Sequence, residues 1–171
     1  MAKLGPTEVH GSLAVAGIVT KPLQPSFNAW LTSTMTLVLA STTYVPAPWT
    51  ERFDIGSNFN ATTGIFTAPI AGCYQFSANV EFRLLQTDAG YYYGRIRVNS
   101  RGVTNGVLKL IDPTKFSTTI NYRSFTFSTL EYMDVGDTAW IDIYQSGGTP
   151  NTTTITGTNS VYTSFAGFLA C

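Results

Sequence analysis

The chain has 171 residues, and ten Lys and Arg residues balance ten Asp and Glu residues, so its formal net charge is zero. Only 12% of the residues are charged, about half the usual share of roughly 25%, whereas 44% are hydrophobic and 13% aromatic. This composition excludes a disordered chain and argues against a nucleic-acid binder, since such proteins carry a basic surface. The length suits one domain, and a small neutral domain with so few charges is poorly equipped to stay monomeric.

The first 25 residues are predicted to form an extended N-terminal arm. Hydrophobic or glycine residues recur there with a period of two, at Val9, Gly11, Leu13, Val15 and Gly17, which favours an extended segment over a helix. Pro22 and Pro25 then end the segment. An arm of this kind buries little surface by itself, so we expect it to pack against a partner.

No feature of the sequence predicts secretion or insertion into a membrane. The N-terminus has no basic region followed by an apolar one, so a secretory signal is not expected, and the apolar stretches are too short to span a bilayer. We therefore expect the chain to fold in a reducing cytoplasm. Cys73 and Cys171 are too few for a disulfide framework, and both a pair of free thiols and a single bridge remain open. The three Cys and His residues are also too few for a closed zinc site.

From Ser26 onward the pattern is uniformly strand-like. Gly, Pro, Asn and Asp residues punctuate the chain at regular intervals, for example at Pro69, Asp112 and Gly147. Between them we predict ten strands, at Phe27–Leu31, Met35–Leu39, Trp49–Ile55, Gly64–Thr67, Gly72–Leu84, Tyr91–Asn99, Val107–Ile111, Phe116–Glu131, Asp137–Gln145 and Val161–Leu169. About ten strands without a convincing helix indicate an all-β domain over residues 26–171, an antiparallel β-sandwich or jelly roll.

Alternation along the strands predicts which side chains face the core. Even-numbered residues from Tyr74 to Phe82 are apolar, whereas Gln75, Ser77 and Asn79 are polar and uncharged. In a later strand, Ala139, Ile141 and Ile143 oppose Trp140, Asp142 and Tyr144. Each strand thus has one face for the core and another that is polar but almost uncharged.

Three blocks of residues carry a resemblance to a known family. The first block is Asp54, Phe59, Phe66, Gly72, Tyr74 and Phe76, the second is Val135–Trp140 and the third is Phe165–Leu169. Together they resemble the globular-head domain of the complement q component, which belongs with the tumour-necrosis-factor-like jelly rolls. Two positions depart from the family signature, since Pro48 and Ala78 stand where aromatic residues are usual.

The resemblance implies a tight homotrimer around a three-fold axis. In related trimers the strand of Gln75, Ser77 and Asn79 and the C-terminal strand line the axis, which makes these three residues, Phe165 and Leu169 candidates for the trimer interface. Other residues of the signature have a structural interpretation. We expect Phe66, Tyr74 and Phe76 to fill the sandwich, and Gly136 and Asp137 to form a tight turn in which the Asp side chain bonds nearby backbone.

The arm has a second resemblance, which bears on where the protein acts. The phrase Val-x-Gly-Ser-Leu-x-Val-x-Gly over residues 9–17 is similar to segments that precede the heads of phage tail and fibre proteins. It implies a non-enzymatic phage virion surface protein, made in the host cytoplasm, whose arm binds other virion proteins. A capsid decoration protein and a receptor-binding fibre tip both remain open. The alternative is a soluble complement-like module that binds a ligand or glycan.

The sequence offers no convincing catalytic centre and no cofactor motif. His10 is the single histidine, so a Ser-His-Asp triad would have to use a residue of the arm. Glu131, Asp134 and Asp137 form the closest acidic group, which we interpret as a solvated turn, with sugar hydrolysis and calcium binding as the alternatives. We therefore predict no enzyme activity, no cofactor and no metal ligands.

One stretch combines aromatic and basic residues in a way that suits a ligand. Tyr91 and Tyr93 are followed by Arg95 and Arg97 at the same period of two. Aromatic rings beside arginines stack on sugars or bases, and the zero net charge makes nucleic acid the weaker choice. The favoured interpretation is structural, with tyrosines alternating between core and surface under arginine stems. If the protein contacts a host glycan or receptor, these four residues are the candidate contacts.

Overall fold

The computed structural model describes residues 23–100, 102–158 and 162–171. Thirteen strands in these ranges are β1 Ser26–Leu31, β2 Met35–Thr36, β3 Thr43–Tyr44, β4 Trp49–Ile55, β5 Phe59–Asn60, β6 Ile65–Thr67, β7 Gly72–Leu85, β8 Tyr91–Ser100, β9 Val103–Ile111, β10 Ile120–Met133, β11 Thr138–Ser146, β12 Thr154–Ile155 and β13 Ser164–Leu169. The 3-10 turn Pro113–Lys115 links β9 to β10. The predicted arm over residues 1–25 lies almost wholly outside the described residues.

The strands form two antiparallel sheets. The seven-stranded sheet runs β2-β12-β7-β13-β1-β4, with β10 paired to the other side of β7, and the six-stranded sheet runs β5-β6-β11-β8-β9, with β3 paired to β11. Neighbouring strands are mostly distant in sequence, as in a jelly roll. The predicted all-β sandwich is confirmed.

Strand β7 is the centre of the seven-stranded sheet because three strands pair with it. β10 follows one side along its length, and β13 and β12 follow one another along the other side. The side chains of β7 alternate between the core and the outer face, as the sequence predicts, with Tyr74, Phe76 and Val80 fully buried. Its pairing therefore fixes which side chains of β10, β12 and β13 lie on the same face of the sheet as its own.

The core between the sheets is built largely from aromatic rings. Phe27 stacks on Phe59 with ring centroids 4.5 Å apart and on Phe66 at 5.2 Å. Phe66 in turn meets Phe76 edge to face at 5.6 Å. The predicted role of Phe66, Tyr74 and Phe76 as sandwich filling is confirmed, since all three are fully buried.

All ten predicted strands are present, with shifted ends. The strand predicted from Phe116 begins at Ile120, because the 3-10 turn and its connection occupy the residues before it. β3, β5 and β12 were not predicted, since each has only two residues and two residues cannot display a period. The predicted turn is confirmed: Gly136 has a φ of +87°, and Asp137 accepts a hydrogen bond from the Asp134 N–H at 2.7 Å.

Candidate functional site

The four predicted ligand contacts lie on one strand and on one face. Tyr91, Tyr93, Arg95 and Arg97 all belong to β8, whose intervening residues include the fully buried Tyr92, Ile96 and Val98. Side chains two residues apart on a strand point the same way. The outer face of the six-stranded sheet therefore brings all four together.

The neighbouring strand β11 completes this group. Its register places Trp140 opposite Arg97, Asp142 opposite Arg95, and Tyr144 opposite Tyr93. Opposite residues of an antiparallel pair project from the same face. We call the resulting row of Tyr91, Tyr93, Arg95, Arg97, Trp140, Asp142 and Tyr144 the ladder.

The aromatic rings of the ladder stack on one another. Tyr144 lies between Tyr91 and Tyr93, with ring centroids at 5.8 Å and 5.2 Å. The guanidinium carbon of Arg95 sits 5.1 Å from the Tyr93 ring centre, and that of Arg97 sits 5.3 Å from Trp140. Tyr93 is thus stacked between Tyr144 and Arg95, which limits any ligand at that residue to the ring edge and hydroxyl.

A buried carboxylate anchors the two arginines. Asp142 has no exposed surface, and it accepts hydrogen bonds from Arg95 Nε at 2.9 Å and Arg95 Nη2 at 2.6 Å. Arg97 Nη1 lies 3.5 Å from the same carboxylate. The hydrogen bond to Asp142 raises the pKa of Arg95 above its ordinary value, partly offset by burial. One carboxylate thus balances two cations, which leaves the ladder with one excess positive charge.

An open cleft adjoins the ladder at Arg95. It measures about 440 Å³ and is lined by Arg95, Thr104, Asn105, Gly106, Leu108 and Glu131. Leu108 and the nearby Leu110 are exposed on β9. In the described part of the chain, Arg97 Nε is buried without a hydrogen-bond partner. The ladder and cleft together offer guanidinium donors, phenol hydroxyls and an apolar margin to a polar ligand.

The predicted interface residues lie on the other sheet. Gln75, Ser77 and Asn79 project from its outer face, as expected. Phe165 does not, because it is fully buried and packs 5.0 Å from Phe27 in the core, so the expectation that Phe165 lies on that face is corrected. The phenylalanine of β13 that projects from the outer face is Phe168, which lies opposite Gln75 and is 47% exposed.

Leu169, the last predicted interface residue, is half-buried and packs against the edge of the core. Its position opposite Tyr74 directs it to the inner side of the sheet. The sequence alternation could have distinguished Phe168 from Phe165 only if the pairing with β7 had been known.

Strand β10 extends this outer face. Its register places Leu130 opposite Gln75, Ser128 opposite Ser77 and Thr126 opposite Asn79. Thr126 donates a hydrogen bond to the Asn79 side-chain carbonyl at 3.1 Å. We call the outer surface formed by Gln75, Ser77, Asn79, Glu81, Arg83, Tyr122, Ser124, Thr126, Ser128, Leu130, Tyr132, Ser164, Ala166 and Phe168 the neutral face.

The neutral face carries two charges, and they neutralise one another. Arg83 Nε lies 2.9 Å from Glu81 Oε1, and the Arg83 guanidinium sits over the rings of Tyr122 and Tyr162 at 4.9 Å and 5.3 Å. Leu130 and Tyr132 are exposed on the same face as Phe168. Charge is depleted and aromatic surface enriched in the same way at the centres of protein interfaces.

Two residues of the acidic group have local hydrogen-bonding roles. Glu131 accepts a hydrogen bond from Thr129 at 2.8 Å, and Asp137 serves the turn described above. Among the described residues, no cluster of three or more His, Cys, Asp or Glu side chains could hold a metal ion. His10 lies outside those residues. In the same part of the chain, no helix is long and apolar enough to cross a membrane.

Comparisons with known proteins agree with this architecture. A family model described as the C1q domain matches residues 32–170. The fold resembles the globular domain of zebrafish complement 1qA, with a TM-score of 0.61 and 18% identity over 86% of this chain and 98% of that one. Murine APRIL is similar at a TM-score of 0.60 and 11% identity, over 85% and 98% of the two chains.

A third similar structure is the Eiger TNF of S. frugiperda, with a TM-score of 0.61 and 6% identity over 86% of this chain and 94% of that one. A search of curated protein sequences found no match. At these identities the structural neighbours establish the jelly-roll fold and nothing narrower.

Proposed function

This chain belongs to the C1q domain family, and from that premise we propose that it is a non-enzymatic homotrimeric head on the surface of a virion. The resemblance to this family, described above, implies a homotrimer around a three-fold axis. Residues 26–171 form the head, which buries its neutral face against two copies of itself. Residues 1–25 attach it to other virion proteins, as either a capsid decoration protein or a fibre tip.

The observation that carries the trimer is the neutral face. A monomer would expose Phe168, Leu130 and Tyr132 to solvent on a surface whose two charges cancel. A surface of that kind favours association over solubility. A cyclic arrangement lets each copy bury the same surface, because the interfaces of a closed ring are identical.

The trimer is tested by the mass of the purified chain in solution. Light scattering at micromolar concentration should give three times the mass of one chain, and a monomer mass would refute the proposal. Ser77→Glu should dissociate the trimer, because each copy would then bury an unpaired negative charge in the interface, whereas the two charges of the wild-type neutral face are paired. The matched control is Thr62→Glu, at an exposed turn between β5 and β6, which should leave the mass unchanged.

The virion assignment is supported by the phage-like phrase at residues 9–17. Mass spectrometry of purified particles from the source of the gene should detect the protein, and its absence would overturn this assignment. A chain without residues 1–25 should remain trimeric and no longer cosediment with particles. If the shortened head dissociates instead, the arm belongs to the oligomer core.

The second candidate, a complement-like module that binds a glycan, is favoured by the ladder. Its guanidinium and phenol groups form a half-exposed row on the sheet opposite the neutral face, so a trimer would leave that row accessible. A glycan array should show binding that Arg97→Ala abolishes, while Lys109→Ala, an exposed basic residue of β9, leaves it intact. An array without binding would remove this candidate.

A further inference from the structure

The two cysteines lie side by side, although nearly 100 residues separate them in the sequence. The Cys73 N–H donates to the Cys171 carbonyl oxygen at 2.7 Å, and the Cys171 N–H donates back to the Cys73 carbonyl at 3.4 Å. The Ala170 N–H also donates to that carbonyl, at 2.7 Å. Two residues at the end of the chain thus oppose one residue of β7, the pattern of a β-bulge.

This backbone pairing places the cysteines within reach of a disulfide. Residues that exchange both hydrogen bonds across an antiparallel pair have Cα atoms about 5.5 Å apart. Disulfides join residues whose Cα atoms are roughly 4.4–6.8 Å apart. The approach at this point is close enough that a Cβ atom on Gly72 would lie 2.6 Å from the Cys171 carbonyl oxygen.

The two side chains lie close enough for Cys171 to affect the acidity of Cys73. A hydrogen bond with the Cys171 side chain, together with burial, raises the pKa of the Cys73 thiol above its usual value. Cys73 is half-buried whereas Cys171 is exposed. A reagent in solution therefore reacts first with the thiol of Cys171. The thiol of Cys73 is then the second thiol, which can displace the reagent from Cys171.

We propose that Cys73 and Cys171 are a redox site that forms a reversible intrachain disulfide, with a small-molecule disulfide such as oxidised glutathione as the oxidant. The bond fastens the C-terminal segment to β7. This inference stands on the geometry of the two cysteines and does not depend on the proposed function.

The reaction proceeds by two thiol–disulfide exchanges. The Cys171 thiolate attacks one sulfur of the oxidant, so a mixed disulfide forms and one small thiolate leaves. The Cys73 thiolate then attacks the Cys171 sulfur, so the Cys73–Cys171 bond forms and the second small thiolate leaves. The two protein thiols lose two electrons and two protons, and the oxidant is reduced to two thiols.

The test is performed on the purified full chain in its reduced form. After incubation with oxidised glutathione, free thiols are alkylated and the protein is digested with trypsin. Cleavage after Arg52, Arg83 and Arg123 leaves Cys73 in peptide 53–83 and Cys171 in peptide 124–171. We expect these two peptides to be recovered joined, and to separate when a thiol reductant is added.

A second measurement follows the thermal midpoint. The bond closes a loop of about 100 residues, so oxidation should raise the Tm by about 5–10 °C at fixed protein concentration. Cys73→Ser and Cys171→Ser should each abolish the shift. An unchanged Tm in oxidised wild-type protein that contains the joined peptides would show that the bond does not fasten the fold, and would overturn that part of the proposal.

A mixture of the two single variants is the control for bonds between copies, because it can form only those. The mixture should yield almost no joined peptide. The intrachain site does not exist if the mixture yields as much joined peptide as the wild-type chain. It also does not exist if both thiols of the wild-type chain are still free after oxidation and are therefore recovered alkylated.

Discussion

Asp142 and Arg95 form a two-point ion pair across strands β8 and β11, with N–O distances of 2.9 Å and 2.6 Å. The carboxylate is fully buried, although it lies on the outer side of its sheet. The side chains around it shield it from water, Arg97 among them. The ladder is therefore a rigid surface, because its rings and cations are fixed by one another before any ligand arrives.

Replacement of Asp142 by Asn should weaken the fold. The two arginines would lose their counter-charge, and we expect the free energy of unfolding to fall by about 2–3 kcal/mol. This is less than for a wholly buried pair, because both arginines keep partial contact with water. Urea denaturation measures the loss. Glu51→Gln, at an exposed carboxylate of β4, should stay within about 0.5 kcal/mol, and equal losses in the two variants would contradict the anchoring role.

Phe165 and Phe168 should respond differently to replacement by Ala. Phe165 fills the aromatic core, so its loss should cost about 3–5 kcal/mol of unfolding free energy. Phe168 lies on the neutral face, so its loss should weaken trimer association and leave the fold intact. Denaturation and sedimentation equilibrium on the same samples separate the two effects. A Phe168→Ala variant with unchanged association would place the interface elsewhere.

High pH should destabilise the protein through buried tyrosines. Burial raises the pKa values of Tyr74 and Tyr92 above their usual value. The unfolded chain then releases phenol protons at a lower pH than the folded chain, so the contribution of these groups to stability is present below about pH 10 and is lost as the pH rises through the folded pKa. Denaturation across this range should show a steady loss of stability.

The variant Tyr92→Phe tests the source of that loss. It removes the hydroxyl that bonds Thr153 and the Gln86 N–H, so stability at neutral pH should fall by about 1 kcal/mol. Above pH 10 the slope of stability against pH should decrease by up to about 1.4 kcal/mol per unit, the contribution of one proton. An unchanged slope would assign the alkaline loss to other groups.

Gly72 should not tolerate even a methyl group. A Cβ atom there would lie 2.6 Å from the Cys171 carbonyl oxygen and from Leu169 Cδ1, so Gly72→Ala should cost about 1–3 kcal/mol and make the C-terminal segment more sensitive to carboxypeptidase. Gly90→Ala is the control, because the nearest atom to its added Cβ lies at 3.5 Å, and that variant should behave like the wild type.

The sequence predicted the faces of the long strands better than the contacts between strands. The period of two correctly predicted that the side chains of Tyr74 and Phe76 face the core and that those of Gln75 and Ser77 face outward. It could not show that β8 pairs with β11, so the four β8 residues were found without Trp140, Asp142 and Tyr144. The alternation of these three was visible, but register depends on tertiary packing that no local pattern contains.

Two individual residues illustrate the same limit. Phe165 was expected on the outer face because its strand was expected to line an axis, yet the side that a residue takes depends on the residue it opposes. Asp142 followed a polar alternation typical of a solvated face, and the arginines that cover it come from another strand. Burial by a neighbour's side chain leaves no trace in the local sequence.

The free edge of strand β10 bears on how the domain behaves at high concentration. It runs for 14 residues along β7, and among the described strands none pairs with its other side. An open edge of that length is a template on which further strands can add without limit, and aggregation begins at such edges. Because β10 also forms part of the neutral face, burial of that face in the proposed trimer would restrict the access of further strands to this edge.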